Sequence, residues 1–246
     1  MPPHKTYVEP FAGAGNVLLA KPPSEKEVLN DKSTPIMTVH KGIKNRPAEW
    51  DMTPSRRKWD EFAKIPPSQR SAYQQAYVQD HSYGGKGQNA EYGGGQFAVQ
   101  GKTGKFDTTR LHEREQDAIM KNQDFAQVMR MFDSSQTLHY LDPPYATKTT
   151  EQYGSNQVEP ERVEKVARKM KGNVMVSYDN SAKVKRIFHP PKWEVHSIGT
   201  RGGLAGHGDV QRKDLLITNF NPATERAHNQ PYDESKARKE QQQGLR

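Results

Sequence analysis

Thr137-Leu138-His139-Tyr140-Leu141 reads as a β-strand, and it runs straight into Asp142-Pro143-Pro144-Tyr145. Apolar, β-branched and aromatic residues dominate the run, as a strand requires. Two successive prolines remove two backbone donors and fix their φ angles, so the strand cannot continue past Leu141. The chain must leave in a rigid, extended turn that presents backbone carbonyls and the Asp142 carboxylate at the strand end.

The same grammar recurs along the chain. Tyr7-Val8-Glu9 is a short strand, Pro10 to Gly15 a turn of small residues, and Asn16-Val17-Leu18-Leu19 the start of a helix. A second strand, Glu27 to Asn30, ends on Asp31. A helix from Asp124 to Phe132 precedes the Thr137 strand, and a helix from Glu159 to Met170 precedes a strand at Asn173 to Ser177. A helix near Ala182 to Phe188 leads to Trp193–Ile198 and Asp214–Thr218, read as closing antiparallel strands. Strands separated by helices imply an α/β fold with a mostly parallel, doubly wound sheet.

Only 32% of the 246 residues are apolar, and the mean hydropathy is -1.03. The core must therefore be confined to a few short segments, with long solvated stretches between them. One such stretch, 51–117, carries glycine clusters at Gly84-Gly85-Lys86-Gly87 and Gly93-Gly94-Gly95 and little aliphatic periodicity. It is read as an inserted lobe with mobile loops, which divides a core formed by residues 1–50 and 118–220. Residues 221–246 are rich in Gln, Lys and Glu and are expected to be a disordered tail.

The chain has no cysteine, which excludes disulfides, thiolate metal sites and methylation of cytosine carbon 5 through a thiolate. His139, His189, His196 and His207 lack ligand spacing, so no metal is expected. No apolar run approaches the ~20 residues that span a bilayer, and no secretory pattern opens the chain, so a cytoplasmic protein is the expectation. The balance of 37 Lys and Arg against 29 Asp and Glu, net +8, favours a polyanionic partner over an acidic small molecule. A basic protein without such a partner would show the same balance.

Ligands of open α/β sheets lie beyond the carboxyl ends of strands, where Glu9 to Gly15 and Asp142 to Tyr145 both fall. Gly13 and Gly15 allow a sharp turn and a close backbone approach, although structural turns use glycine too. Leu18 occupies the third glycine position of the dinucleotide fingerprint, so a nucleoside without a pyrophosphate fits better. Asp31 is placed either to accept from ribose hydroxyls or to make a turn or helix cap. Asp142 and the Pro143 carbonyl are both acceptors, which suits an amine with two hydrogens to donate. Tyr145 offers a flat face for a base removed from its stack, while an isolated tetrad of this kind is more often an exposed turn.

Taken together, VEPFAGAG, the Asn30-Asp31 pair and HYLDPPY resemble the Dam-type adenine-specific DNA methyltransferases, and Tyr7 to Leu29 is especially similar to phage and prophage members. That resemblance implies a Rossmann-like sheet that binds S-adenosylmethionine (AdoMet), with an inserted target-recognition lobe at 51–117. It implies that Glu9, Pro10, Phe11, Ala12, Gly13 and Gly15 line the AdoMet site, with Asp31 on the ribose and Asp124-Phe125 on the adenine. It assigns catalysis on a flipped-out adenine of double-stranded DNA to Asp142, Pro143, Pro144 and Tyr145. Arg201 to Ile217 resembles the family's arginine-containing loop, with Gly202, Gly203, Gly206 and Gly208 consistent with ordering on DNA. Lys86, Lys102, Lys105, Arg110, Arg114 and Arg201 are the candidate DNA contacts, each one otherwise an ordinary solvated charge.

Members of that family carry a Gly-Gly-Lys segment ahead of the first strand, whereas Tyr7 follows Met1 by only a few residues. Gly84-Gly85-Lys86 lies after the second strand and is read as loop. The expectation is that a protein partner supplies the element, that the chain is truncated, or that it is a catalytically weak DNA-binding relative.

Overall fold

The computed structural model describes residues 1–82, 91–93, 104–144, 158–201 and 211–222. The strands are β1 (Thr6–Glu9), β2 (Lys26–Asn30), β3 (Glu49–Asp51), β4 (Lys105–Asp107), β5 (Ile119–Lys121), β6 (Thr137–Leu141), β7 (Asn173–Asp179), β8 (Glu194–Arg201) and β9 (Gln211–Thr218). Seven of them form one sheet in the order β5-β2-β1-β6-β7-β9-β8, and β3 pairs with β4 as a separate antiparallel ladder. The first five of that order run parallel, and β9 is antiparallel to both β7 and β8.

Helices α1 (Asn16–Ala20), α2 (Thr34–Asn45), α3 (Arg56–Lys64), α4 (Ala72–Asp80), α5 (Thr109–Glu115), α6 (Phe125–Met131), α7 (Pro160–Ala167) and α8 (Ala182–Ile187) connect the strands. Among the described residues, none is long and apolar enough to cross a membrane.

Parallel strands covered on both faces read as continuous apolar runs. Accordingly Tyr7, Val8, Val28, Leu29, Leu138 and Leu141 are fully buried. The largest core cluster joins Phe125 and Met129 of α6, Val163 of α7, Val184 of α8, Val174, Val176 and Tyr178 of β7, and Leu215 and Ile217 of β9. Phe188 and Trp193 close it at the turn into β8.

Among the elements with no counterpart in the sequence reading are β5 and α2. Strand β5 is only Ile-Met-Lys, too short for a periodic signal, and its parallel register with β2, Val28 beside Ile119, makes it a strand. Helix α2 buries Met37, His40 and Ile43 at three-residue spacing, a stripe interrupted by a histidine.

Within 51–117, read as a lobe with mobile loops, the described residues include helices that the sequence reading did not name. Helices α3 and α4 share a core of Met52, Trp59, Tyr77 and Val78, bordered by Trp50, Phe62, Tyr73 and Phe106. Its apolar surface is aromatic and sparse, which aliphatic periodicity does not detect. Residues 83–90 and 94–103, with most of both glycine clusters, lie outside the described residues, as do 223–246 of the expected tail.

Candidate active site

Chain direction across the sheet diverges between β1 and β6: one side continues to β2 and β5, the other to β7. A crevice forms outside the carboxyl ends of strands at such a point. With Val8 beside His139, the turn after β1 and the Asp142-Pro143-Pro144 turn after β6 are neighbours on that edge.

The glycine turn is built by two left-handed residues, Gly13 at φ 49° and Gly15 at φ 69°. Only glycine adopts such angles without cost. The Ala12 amide donates to the Asn30 carbonyl (2.8 Å), and the Gly15 amide to the Ala12 carbonyl (2.7 Å). A Cβ built at Gly13 would meet nothing within 4 Å, so that side of the turn faces open space. Leu18, by contrast, is fully buried beneath the turn.

Asn30, fully buried, ties three strand ends together. Its Nδ2 donates to the carbonyls of Pro10 (2.9 Å) and Gln123 (3.1 Å), and its Oδ1 accepts from the Gln123 amide (2.9 Å). Asp31 follows, with Oδ2 accepting from the Gly13 amide (3.0 Å) and Oδ1 from the Ser33 amide (2.8 Å). Asp31 is thus a turn-maker that also pins the glycine turn. Its burial raises the carboxyl's pKa, with the Ser33 and Gly13 amides acting against that.

Glu9 is 2% exposed, and its Oε2 accepts from the Tyr7 hydroxyl (2.8 Å) and the Leu18 amide (3.2 Å). Burial raises it to about 7, and the negative charge of Asp142 pushes the same way. Tyr140, whose hydroxyl meets Ser177 Oγ at 2.8 Å, is pushed up to about 12 by burial and then by Asp142. Asp142 is itself exposed, Pro143 buried and Pro144 half-buried, while Tyr145 lies outside the described residues.

Phe11 and Phe125 stack at 5.0 Å between centroids, with the Arg162 guanidinium 4.8 Å over the Phe125 ring. Asp124 caps α6 through the Ala126 amide (3.0 Å), and both of its oxygens accept from Arg162 at 2.8 Å. Phe125 is 3% exposed and belongs to the core, so Phe11, half-buried, is the member of that pair nearer to solvent.

Of the expected DNA contacts, Arg114 is turned inward. It pairs with Glu27 at 3.0 Å and 3.3 Å and donates to the Leu18 carbonyl at 2.8 Å, with its side chain 15% exposed. Lys105 is exposed and pairs with Glu49 (2.7 Å), and Arg110 is exposed on α5. Lys86, Lys102 and the side chain of Arg201 lie outside the described residues.

Sequence reading missed His40 and Glu115. His40 Nδ1 lies 2.8 Å from Glu115 Oε1 and its Nε2 lies 2.8 Å from the Gly13 carbonyl. Separated by 75 positions, the pair has no local sequence signal. Among the described residues no three His, Asp or Glu side chains are gathered as a metal site.

The strand order with antiparallel β9, and a glycine turn facing an Asp-Pro-Pro turn across the switch point, define a Rossmann-like methyltransferase sheet. Residues 1–115 and 89–200 match the family model of the D12 class N6 adenine-specific DNA methyltransferases, and the chain belongs to that family. No curated protein matches. Among solved structures, a conserved hypothetical protein of Streptococcus pyogenes aligns over 87% of this chain and 86% of its own at 11% identity. Its TM-score of 0.37 is too low to carry an argument.

Proposed function

We propose that this chain methylates the exocyclic N6 of adenine in double-stranded DNA, with AdoMet as donor, on a base turned out of the duplex, in the manner of the Dam-type enzymes. The observation that carries this reading is the meeting of the glycine turn and Asp142 across the β1–β6 switch point.

The residues fit the cofactor. Gly13 opens onto free space, Asp31 keeps lone pairs for ribose hydroxyls on a carboxylate already fixed by two amides, and Glu9, Pro10, Phe11 and Ala12 form the turn's approach. Asp124 and Phe125 border the adenine side through the Phe11 contact. When bound, AdoMet would supply an electrophilic methyl group on a sulfonium.

Asp142 and the Pro143 carbonyl accept the two amine hydrogens, which concentrates the nitrogen lone pair on the face turned to the methyl donor. Asp142 need not be a strong base, because the amine becomes acidic only as the N–C bond forms. The positive charge that develops on the amine is stabilised by the carboxylate of Asp142. Pro144 holds the turn rigid, and Tyr145 is assigned to stack on the extruded base. The turn therefore pre-orients acceptors at no cost during the reaction.

In this reading residues 1–50 and 118–220 bind AdoMet and perform the chemistry, while 51–117 contact DNA through Lys86, Lys102, Lys105 and Arg110, with Arg201 joining from the β8–β9 side. The test is calorimetry of AdoMet with the purified chain, together with mapping of methylated adenine in DNA from cells that express it. Tight binding and N6-methyladenine at one short sequence are expected. Cofactor binding absent from the purified chain would turn the reading to a DNA-binding relative that depends on a partner.

A further inference from the structure

His40 is 3% exposed and Glu115 fully buried, yet neither belongs to the chemistry at Asp142. The imidazole bridges a carboxylate and a backbone carbonyl, at 2.8 Å on each side. Where Glu115 is a carboxylate, both of those oxygens are acceptors, so both ring nitrogens donate, which only the imidazolium does. The two contacts together favour the cationic ring over the neutral one.

Its position gives that cation a consequence. The accepting carbonyl is that of Gly13, the left-handed residue whose amide binds Asp31. The residue before Glu115 on α5, Arg114, donates to the Leu18 carbonyl within α1, the helix that follows the glycine turn. Two adjacent residues, at the point where the chain returns from 51–117, therefore bear on this region, Glu115 through His40 on the glycine turn and Arg114 on the helix after it.

We infer that His40 is a positioning residue for the cofactor turn, that its ion pair with Glu115 must stay ionised to hold the Gly13 carbonyl, and that AdoMet affinity is therefore linked to the proton on this ring. The inference rests on the assignment of the glycine turn to AdoMet.

Loss of that proton leaves a lone pair on Nδ1 or Nε2 facing an oxygen, and one of the two contacts breaks. Burial alone would lower the ring's pKa, but the hydrogen bond and charge of Glu115, with the Gly13 carbonyl and Asp31, raise it above 6.5. The charged groups that face the ring are Glu115 on α5, Asp31 at the end of β2 and Glu9 on β1. A raised histidine stabilises its arrangement below the unfolded pKa, and that stabilisation disappears as pH rises through the folded one.

Glu115→Gln isolates the effect. The glutamine amide can donate to Nδ1 of a neutral ring whose Nε2–H still reaches the Gly13 carbonyl, so the clamp survives without a titrating proton. His40→Ala removes the clamp and strands Glu115, and if it fails to fold the glutamine variant still decides the matter.

The experiment is calorimetric titration of the full chain with AdoMet from about pH 6 to about pH 9, in buffers of different ionisation enthalpy, with NMR titration of the ring of His40 alongside. In the wild type, affinity should fall about tenfold or more across that range, with proton uptake on binding at the alkaline end. His40 should titrate above 6.5 by NMR. In E115Q, affinity should be flat with pH and binding free of proton uptake. A dependence that survives in E115Q belongs to Glu9 or Asp31 and overturns the inference, as does a wild type whose affinity is flat. Absence of binding at every pH overturns the cofactor assignment as well, and the NMR titration then shows whether the ion pair itself exists.

Discussion

Glu9 keeps its carboxyl where charge is costly, enclosed by Tyr7, Leu18 and the field of Asp142. Raised from 4.5 to about 7, it is protonated in both folded and unfolded chains at low pH, and stability is lost progressively as pH rises from about 4.5 to about 7. The loss is on the order of 3 kcal/mol by about pH 8. Glu9→Gln keeps an acceptor for Tyr7 and Leu18 but cannot ionise. In urea unfolding it should lose roughly 3 kcal/mol less than the wild type between about pH 5 and about pH 8, and identical pH profiles would show that Glu9 does not titrate there. Asp142, by contrast, is exposed at the strand end, and its proposed role is toward the substrate amine. Asp142→Ala should lower methyl transfer by about 100-fold or more, the cost of one polarising partner, and leave the melting temperature and DNA affinity nearly unchanged. Turnover retained within a few-fold would remove Asp142 from its assigned role.

At the scale of elements, α2 and α4 approach each other closely. A Cβ at Gly42 would lie 2.1 Å from Ala72 Cβ, so Gly42 is a packing glycine rather than a turn glycine. Gly42→Ala should destabilise by roughly 1–3 kcal/mol despite the better helix propensity of alanine, because overpacking outweighs it. Adding Ala72→Gly should restore part of that loss in a double-mutant cycle, and strict additivity would refute the contact. The same scale shows why the sequence was legible in some places and not in others. Strand ends at Glu9, Asn30 and Leu141 announced themselves because apolar runs stop abruptly on glycine, Asp or Pro-Pro, and those stops coincide with the site. Helix α2 hid because its buried stripe contains His40, and α3 and α4 because aromatic residues form their core. Asn30 was visible as part of a motif, but its knot with Pro10 and Gln123 spans up to 93 positions and exists only once β5 has paired with β2. Glu115 was passed over as one charge among many in an acidic and basic stretch, since only burial separates it from its neighbours.

For the whole molecule, a net charge of +8 states how much cation exceeds anion, not where it is available. Arg114 illustrates the difference: with Lys21 it neutralises Glu27, and all three side chains are largely enclosed, at 15%, 4% and 7% exposure. Removing Arg114 leaves Glu27 with Lys21 alone and frees the Leu18 carbonyl, so Arg114→Ala should cost the fold roughly 2 kcal/mol. Lys105 and Arg110 are exposed at the end of the segment 51–117 and remain the proposed phosphate contacts among the described residues. Each phosphate neutralised by such a cation releases counterions and adds about 0.9 to the slope of log affinity against log salt. Measured by fluorescence anisotropy over a salt series, Arg110→Ala and Lys105→Ala should each flatten that slope by about 1 with the melting temperature unchanged. Arg114→Ala should do the reverse, lowering the melting temperature at an unaltered slope. If Arg114→Ala flattens the slope instead, the guanidinium leaves Glu27 on binding DNA, and the hold of α5 on the helix after the glycine turn is released by the substrate itself.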